Sequence, residues 1–168
     1  YVGNGRIEDI DNVKNIFLLG TNPRKEATVI NARIRKAWLA GTTVYRLGPE
    51  ENLTYDVNEL GSSFFDLQLF LDKMSAKKSF WTDTIFLVGY SFLNSKSSES
   101  ALNLVRSLVE QYKSKFLVLH PNASAVGALD LGYETVSTVK QKLLDESEVI
   151  YNLGCDTLPP NQGGFVIY

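Results

Sequence analysis

The chain has 168 residues, of which 44% are hydrophobic and 21% charged, and its formal net charge is −2. That length predicts a single domain able to bury a core, and the composition excludes collagen-like, low-complexity and wholly disordered classes. The charge gives no basic field to attract nucleic acid or anionic lipid.

One cysteine, Cys155, and one histidine, His120, narrow the chemistry further. They exclude an internal disulfide, a zinc site with two thiolates, an iron–sulfur cluster held by this chain alone and most multi-histidine metal sites. No apolar run is long enough to span a bilayer, and no signal or transit peptide is legible. The chain opens on Tyr1 and closes on Phe165-Val166-Ile167-Tyr168. Those abrupt ends lead us to expect missing sequence on both sides.

In chain order, a buried-type strand is expected at 16–19, inside Ile16-Phe17-Leu18-Leu19-Gly20. A helix follows at 26–39, where Val29, Ile30, Arg33, Ile34, Ala37 and Trp38 recur at helical spacing and Gly41 stops it. Arg33, Arg35 and Lys36 sit near its C-terminal end, where the helix dipole favours cations. A strand is expected at 43–47 and a helix at 63–74, with Phe64, Leu67, Leu71 and Met74 along one face. Residues 75–79 and 94–98 read as solvent loops. The strand-then-glycine unit returns in Ile85-Phe86-Leu87-Val88-Gly89. A helix at 98–112 then turns Leu102, Val105, Leu108 and Val109 inward. A strand at 116–119, a short helix at 124–131 stopped by Gly132, and a helix at 135–144 complete the middle. The third strand-then-glycine unit is Val149-Ile150-Tyr151-Asn152-Leu153-Gly154. Short apolar runs alternating with helices predict an α/β layered fold with a parallel sheet. No stretch reads as a linker, so residues 1–168 form one α/β domain, with a join near 75–81 that would give lobes 1–75 and 80–168.

The junction Gly20-Thr21-Asn22-Pro23-Arg24 is the most informative local feature. Gly20 permits a sharp turn, Thr21 and Asn22 can cap it, and Pro23 suits a first helical position. In doubly wound folds such a junction can offer N–H groups to a phosphate, with Arg24 and Lys25 adding charge. The plain alternative is a well-made turn with solvent-facing basic residues. The dinucleotide fingerprint and the P-loop are both absent. Asp56, Glu59 and Asp66 could supply a general acid–base pair, but surface charge and helix capping explain them as well. His120 follows a strand without an evident nucleophile partner, and Cys155 is read as a small packed residue. Phe80, Trp81 and Phe92 are candidates for contact surfaces, or else for the chain's own core. No serine elbow, H-E-x-x-H or C-x-x-C motif is present.

The run Phe17-Leu18-Leu19-Gly20-Thr21-Asn22-Pro23-Arg24-Lys25-Glu26-Ala27, continued by Asn31-Ala32-Arg33-Ile34-Arg35-Lys36-Ala37-Trp38-Leu39, resembles one family. It is similar to the molybdopterin-oxidoreductase-like C-terminal domain of the largest iron–sulfur subunit of respiratory complex I. Leu53-Thr54-Tyr55-Asp56 with Leu60-Gly61, Ala128-Leu129-Asp130-Leu131-Gly132-Tyr133 and Phe165-Val166-Ile167-Tyr168 extend the resemblance in the same order. Glu59 stands where that family commonly has histidine.

The resemblance implies a Rossmann-like layered domain of the molybdopterin oxidoreductase type in truncated form, the middle of a longer C-terminal domain, with the iron–sulfur N-terminal domain absent. It implies that Gly20, Thr21, Asn22 and Pro23 are the vestige of a pterin-type turn. It also implies no catalytic residue, no metal ligand and no cofactor bound by this chain. Iron–sulfur clusters and FMN would then belong to partner subunits: the iron–sulfur half of the same subunit type and other peripheral-arm subunits. The expected location is the matrix side of the mitochondrial inner membrane, in a protist, or the cytoplasmic face of a bacterial membrane. A nucleotide- or pterin-binding module at residues 20–24 is the second expectation. A small enzyme using His120 or Cys155 is the third.

Overall fold

Two strands are buried along their full length because both faces of the sheet they belong to are covered. They are β1 (Asn15–Leu19) and β4 (Thr84–Val88). On one face Phe17, Leu19, Phe86 and Val88 meet the helices α3 (Phe64–Met74), α4 (Lys78–Thr82), α5 (Tyr90–Leu93) and α6 (Ser98–Tyr112). On the other face Ile16, Leu18, Ile85 and Leu87 meet α2 (Thr28–Leu39) and a 3₁₀ turn at Ile7–Asn12. This computed structural model describes residues 2–74, 77–133, 146–151 and 165–167. The expected helix at 135–144, Cys155 and the end of the third strand-then-glycine unit lie outside them.

The sheet has five strands in the order β3-β2-β1-β4-β5, all parallel, with β2 at Thr43–Leu47, β3 at Asn58–Gly61 and β5 at Lys115–Val118. The chain winds outward from β1 through β2 to β3, then returns to β4 beside β1 and continues to β5. Strand order therefore reverses between β1 and β4, and a crevice can open there at the carboxyl ends of the strands. The expected α/β parallel sheet is thus present.

The outer edge of β5 is met by the chain's own beginning. The Gly5 amide donates to the Phe116 carbonyl at 3.0 Å, the Asn4 side-chain amide donates to the Ser114 carbonyl at 3.1 Å, and its oxygen accepts from the Phe116 amide at 2.8 Å. A Cβ on Gly3 would lie 1.9 Å from the Phe116 carbonyl oxygen, so this approach needs glycine.

Three expectations are corrected. The helix expected at 26–39 begins two residues later, as α2, because Ala27, whose φ of −151° and ψ of 69° are not helical, separates it from a short preceding helix, α1 (Pro23–Glu26). Val29 is 77% exposed, so the inward stripe of α2 is carried by Ile34 and Ala37. The third strand-then-glycine unit does not join the main sheet. Its strand β6 (Val149–Tyr151) pairs in parallel with β7 (Phe165–Ile167) as a two-stranded sheet. Of the two readings of Phe80, Trp81 and Phe92, the chain's own core is the one that holds. Trp81 is fully buried, Phe92 is buried, and Phe80 packs on the same cluster.

The chain divides into compact units at 1–126 and 127–168, and the stretch 75–81 falls inside the first. Leu67 and Leu71 before that stretch share one core with Trp81 at its end and Phe86 after it. A short helix, α7 (Ala125–Asp130), is stopped at Gly132, whose φ is +83°.

Candidate functional site

The strand ends at the β1–β4 reversal carry Gly20 and Gly89. Both extend the ladder: the Gly20 amide donates to the Leu47 carbonyl at 2.8 Å and the Gly89 amide to the Leu19 carbonyl at 2.9 Å. The two turns approach closely. A Cβ on Gly20 would lie 2.5 Å from the Phe92 nitrogen, and one on Gly89 would lie 2.5 Å from the Gly20 carbonyl oxygen. Gly20 also has φ +57°, a conformation that glycine adopts without cost. Backbone and Phe92 thus take up the space directly between the two turns.

Thr21 and Asn22 are buried, and their polar groups are committed within the chain. The Thr21 hydroxyl donates to Glu26 Oε2 at 2.7 Å and the Asn22 amide donates to Glu26 Oε1 at 2.9 Å. Asn22 Oδ1 accepts from the Arg24 amide at 3.1 Å, so Asn22 caps α1, while Pro23 opens it. Asn22 Nδ2 donates to Glu51 Oε2 at 2.7 Å, and Lys25 Nζ reaches the same oxygen at 3.3 Å. The hydrogen bond from Lys25 holds the Glu51 carboxyl below its usual range. Arg24 and Lys25, expected to add charge for a phosphate, instead bind the β2–β3 loop, with Arg24 Nη1 on the Asn52 carbonyl at 3.2 Å.

Arg46 closes the corner. It is 3% exposed, donates from Nη1 to the Glu51 carbonyl at 2.5 Å, and grips Glu59 through Nε at 3.0 Å and Nη2 at 2.5 Å. Such a two-pronged pair has geometry that only arginine supplies. The polar hollow among Asn22, Glu26, Arg46 and Glu51 is about 60 Å3, room for a few waters. A neighbouring cleft of about 300 Å3, bordered by Gly48, Ser62, Ser91 and Lys96, sits at the lower limit of ligand pockets. A pyrophosphate brought to residues 20–23 would meet two carboxylates where it needs donors. The turn does not fit a pterin nucleotide.

The other candidates are not brought into one reactive group. Asp66 caps α3, accepting from the Ser62 and Ser63 amides at 3.1 and 2.9 Å and from the Ser63 hydroxyl at 2.7 Å. Those bonds, the Ser63 hydroxyl first, hold its carboxyl below the usual range. Glu59 belongs to Arg46, and Asp56 lies exposed in the β2–β3 loop. His120 is half-buried just past β5. Among the described residues no group of three or more His, Cys, Asp or Glu could hold a metal ion. The carboxylates on the turn, Glu26 and Glu51, were not candidates in the sequence. Glu26 lay four residues past Asn22 and could have been read as a reciprocal cap. Glu51 gave no local signal.

Two of the shared motifs meet on the opposite face. Tyr55 donates its hydroxyl to Asn31 Oδ1 at 2.9 Å, and its ring lies 6.4 Å from that of Trp38. Burial pushes the Tyr55 hydroxyl well above its ordinary pKa. The neutral form is the folded one, so this contribution is complete below pH 10 and declines as pH rises above it. Tyr55→Phe is expected to cost about 1 kcal/mol, a fall of about 3 °C in the thermal midpoint. An unchanged midpoint in a thermal melt would show that the bond carries no weight.

Comparison with known proteins places these features. The profile of the molybdopterin oxidoreductase family matches residues 1–163. Over its whole length the chain is 31% identical to the NADH-ubiquinone oxidoreductase 75 kDa subunit of Reclinomonas americana, covering 26% of it. It is 33% identical to the mitochondrial NADH-ubiquinone oxidoreductase 78 kDa subunit of Candida albicans, covering 24% of that protein. It is 31% identical to a subunit of the NADH-quinone oxidoreductase of Rickettsia bellii, covering 26%. The chain thus spans about a quarter of the length of these curated relatives. A chain of the formyltransferase/hydrolase complex from Methylorubrum extorquens, solved with methylofuran, is similar at a TM-score of 0.57. That match covers 94% of this chain and 57% of the other at 13% identity, a likeness of fold alone.

Proposed function

The chain belongs to the molybdopterin oxidoreductase family, and from that premise we propose that it is a non-catalytic structural part of the peripheral arm of respiratory complex I. In this role it supports electron transfer from NADH to ubiquinone and performs no chemistry itself. Its relatives are subunits of mitochondrial and bacterial NADH-quinone oxidoreductases. No helix among the described residues is long and apolar enough to cross a membrane. We assign it to the matrix side of the mitochondrial inner membrane, beside the iron–sulfur half of the same subunit type and other arm subunits. Iron–sulfur clusters and FMN belong to those partners, and this chain binds no cofactor.

One observation carries the reading: the residues that match the complex I pattern spend their side chains on one another. Asn31 and Trp38 from one motif hold Tyr55 from the next. Thr21 and Asn22 of the turn are taken up by Glu26 and Glu51. Residues arranged this way maintain a shape, which is what a scaffold requires.

The test is recovery of the tagged full chain from its own cells in mild detergent, followed by mass spectrometry, metal analysis and an NADH dehydrogenase assay. Iron–sulfur and flavin subunits should come with it, together with activity and without molybdenum. Recovery alone, or with stoichiometric molybdenum, overturns the assignment.

A further inference from the structure

We propose that Glu26 and Glu51 are built-in anions that replace a ligand's phosphates, holding the donors of the β1–α1 turn and tying that turn to the β2–β3 loop. The inference rests on the reading that the turn carries no pterin nucleotide, and it says what took that ligand's place.

Three features support it. The donors are of the kind that phosphate oxygens attract: a hydroxyl (Thr21), a backbone amide and a side-chain amide (Asn22), and the Lys25 ammonium. All four end on carboxylate oxygens of this chain, at 2.7 to 3.3 Å. Secondly, the two carboxylates differ in origin. Glu26 is four residues from Asn22 and reaches back as a reciprocal cap. Glu51 lies 29 residues away in sequence, so its arrival at Asn22 Nδ2 is tertiary. Arg46 fixes that arrival, because its guanidinium, 3% exposed, binds the Glu51 carbonyl and so sets where the side chain starts. Thirdly, the charges are balanced as they would be around a bound polyanion. Arg24 and Lys25 bind the β2–β3 loop beside the corner, Arg46 lines it with its charge met by Glu59, and Glu26 and Glu51 stand among them. Removing both carboxylates would leave the Thr21, Asn22 and Lys25 donors unclaimed.

The experiment uses the full chain and inorganic pyrophosphate. Thermal midpoints are measured for the wild type and for the Glu26→Ala/Glu51→Ala double variant. Each is measured with and without millimolar pyrophosphate, against sodium chloride of equal ionic strength to remove screening effects. The wild type should not respond to pyrophosphate. The double variant should melt about 2 °C lower or more. It should regain that loss in pyrophosphate and not in chloride. A rise of the wild-type midpoint in pyrophosphate overturns both this inference and the cofactor-free reading, since the turn would still accept a ligand. A double variant that melts with the wild type, or that melts lower without recovery, overturns the inference alone. In that case the assignment to complex I stands on its own test.

Discussion

Replacing Phe17 with alanine will lower the unfolding free energy by about 4 kcal/mol. Phe17 is fully buried at the middle of β1. Its ring stacks on Tyr45 at 4.7 Å and lies tilted against Phe86 at 5.0 Å. Phe70, Phe80 and Trp81 surround it at 5.8, 6.2 and 6.0 Å. These five rings come from two neighbouring strands and two helices, so no single element can move in to fill the space. Loss of the aromatic contacts adds to the cavity cost, since such pairs contribute about 1 kcal/mol each beyond burial. Urea unfolding of the full chain checks this, with Phe17→Leu as the partner variant that leaves a smaller cavity and should lose less than the alanine variant. A loss under about 1 kcal/mol for the alanine variant would mean that the cluster collapses freely around the gap.

The second large effect is expected at Gly89. Its backbone is ordinary, with φ −95° and ψ 171°, so any residue could adopt it. Space forbids it: an added Cβ would lie 2.5 Å from both the Gly20 carbonyl oxygen and the Thr21 Cβ. Neither neighbour is the free end of a flexible side chain. Gly20 is itself held against Phe92, so pushing it away disturbs the far side of the crevice as well. Gly89→Ala should therefore destabilise by about 3 kcal/mol, the upper end of overpacking costs. Gly41→Ala is the contrasting variant. Gly41 has φ +103° but nothing within 4 Å of an added Cβ, so only the backbone cost of about 1–2 kcal/mol applies. Equal losses at the two glycines in denaturant unfolding would refute the close-approach explanation.

Sequence patterning revealed the elements whose burial follows from their own periodicity. The helix at Ser98–Tyr112 has the expected bounds, and Val105, Leu108 and Val109 are buried as the spacing predicts. Strands β1, β2 and β4 follow from continuous or alternating apolar runs. The strand β3 was not legible, because Asn58, Glu59, Leu60 and Gly61 form a short, mostly polar edge that pairs on one side only among the described residues. The break at Ala27 was hidden because alanine favours helix, whereas its φ of −151° and ψ of 69° are not helical. Trp81 and Phe92 looked like surface aromatics because the partners that bury them are distant in sequence. The candidate site divides in the same way. Gly20, Asn22 and Pro23 announce a turn through local chemistry, whereas Glu51 reaches that turn only through the pairing of β1 with β2.

Asn4 makes the two sides of the sheet unequal toward other molecules. A free strand edge repeats donor and acceptor at regular intervals and can be copied by any passing chain, which is how edge-to-edge aggregation begins. At β5 the Asn4 carboxamide supplies one donor and one acceptor, to Ser114 and Phe116, and the Gly5 amide adds one donor to Phe116. The edge at Phe116 is thus claimed within the chain by a side chain and one backbone amide, so a passing strand finds both polar groups of that residue already bonded.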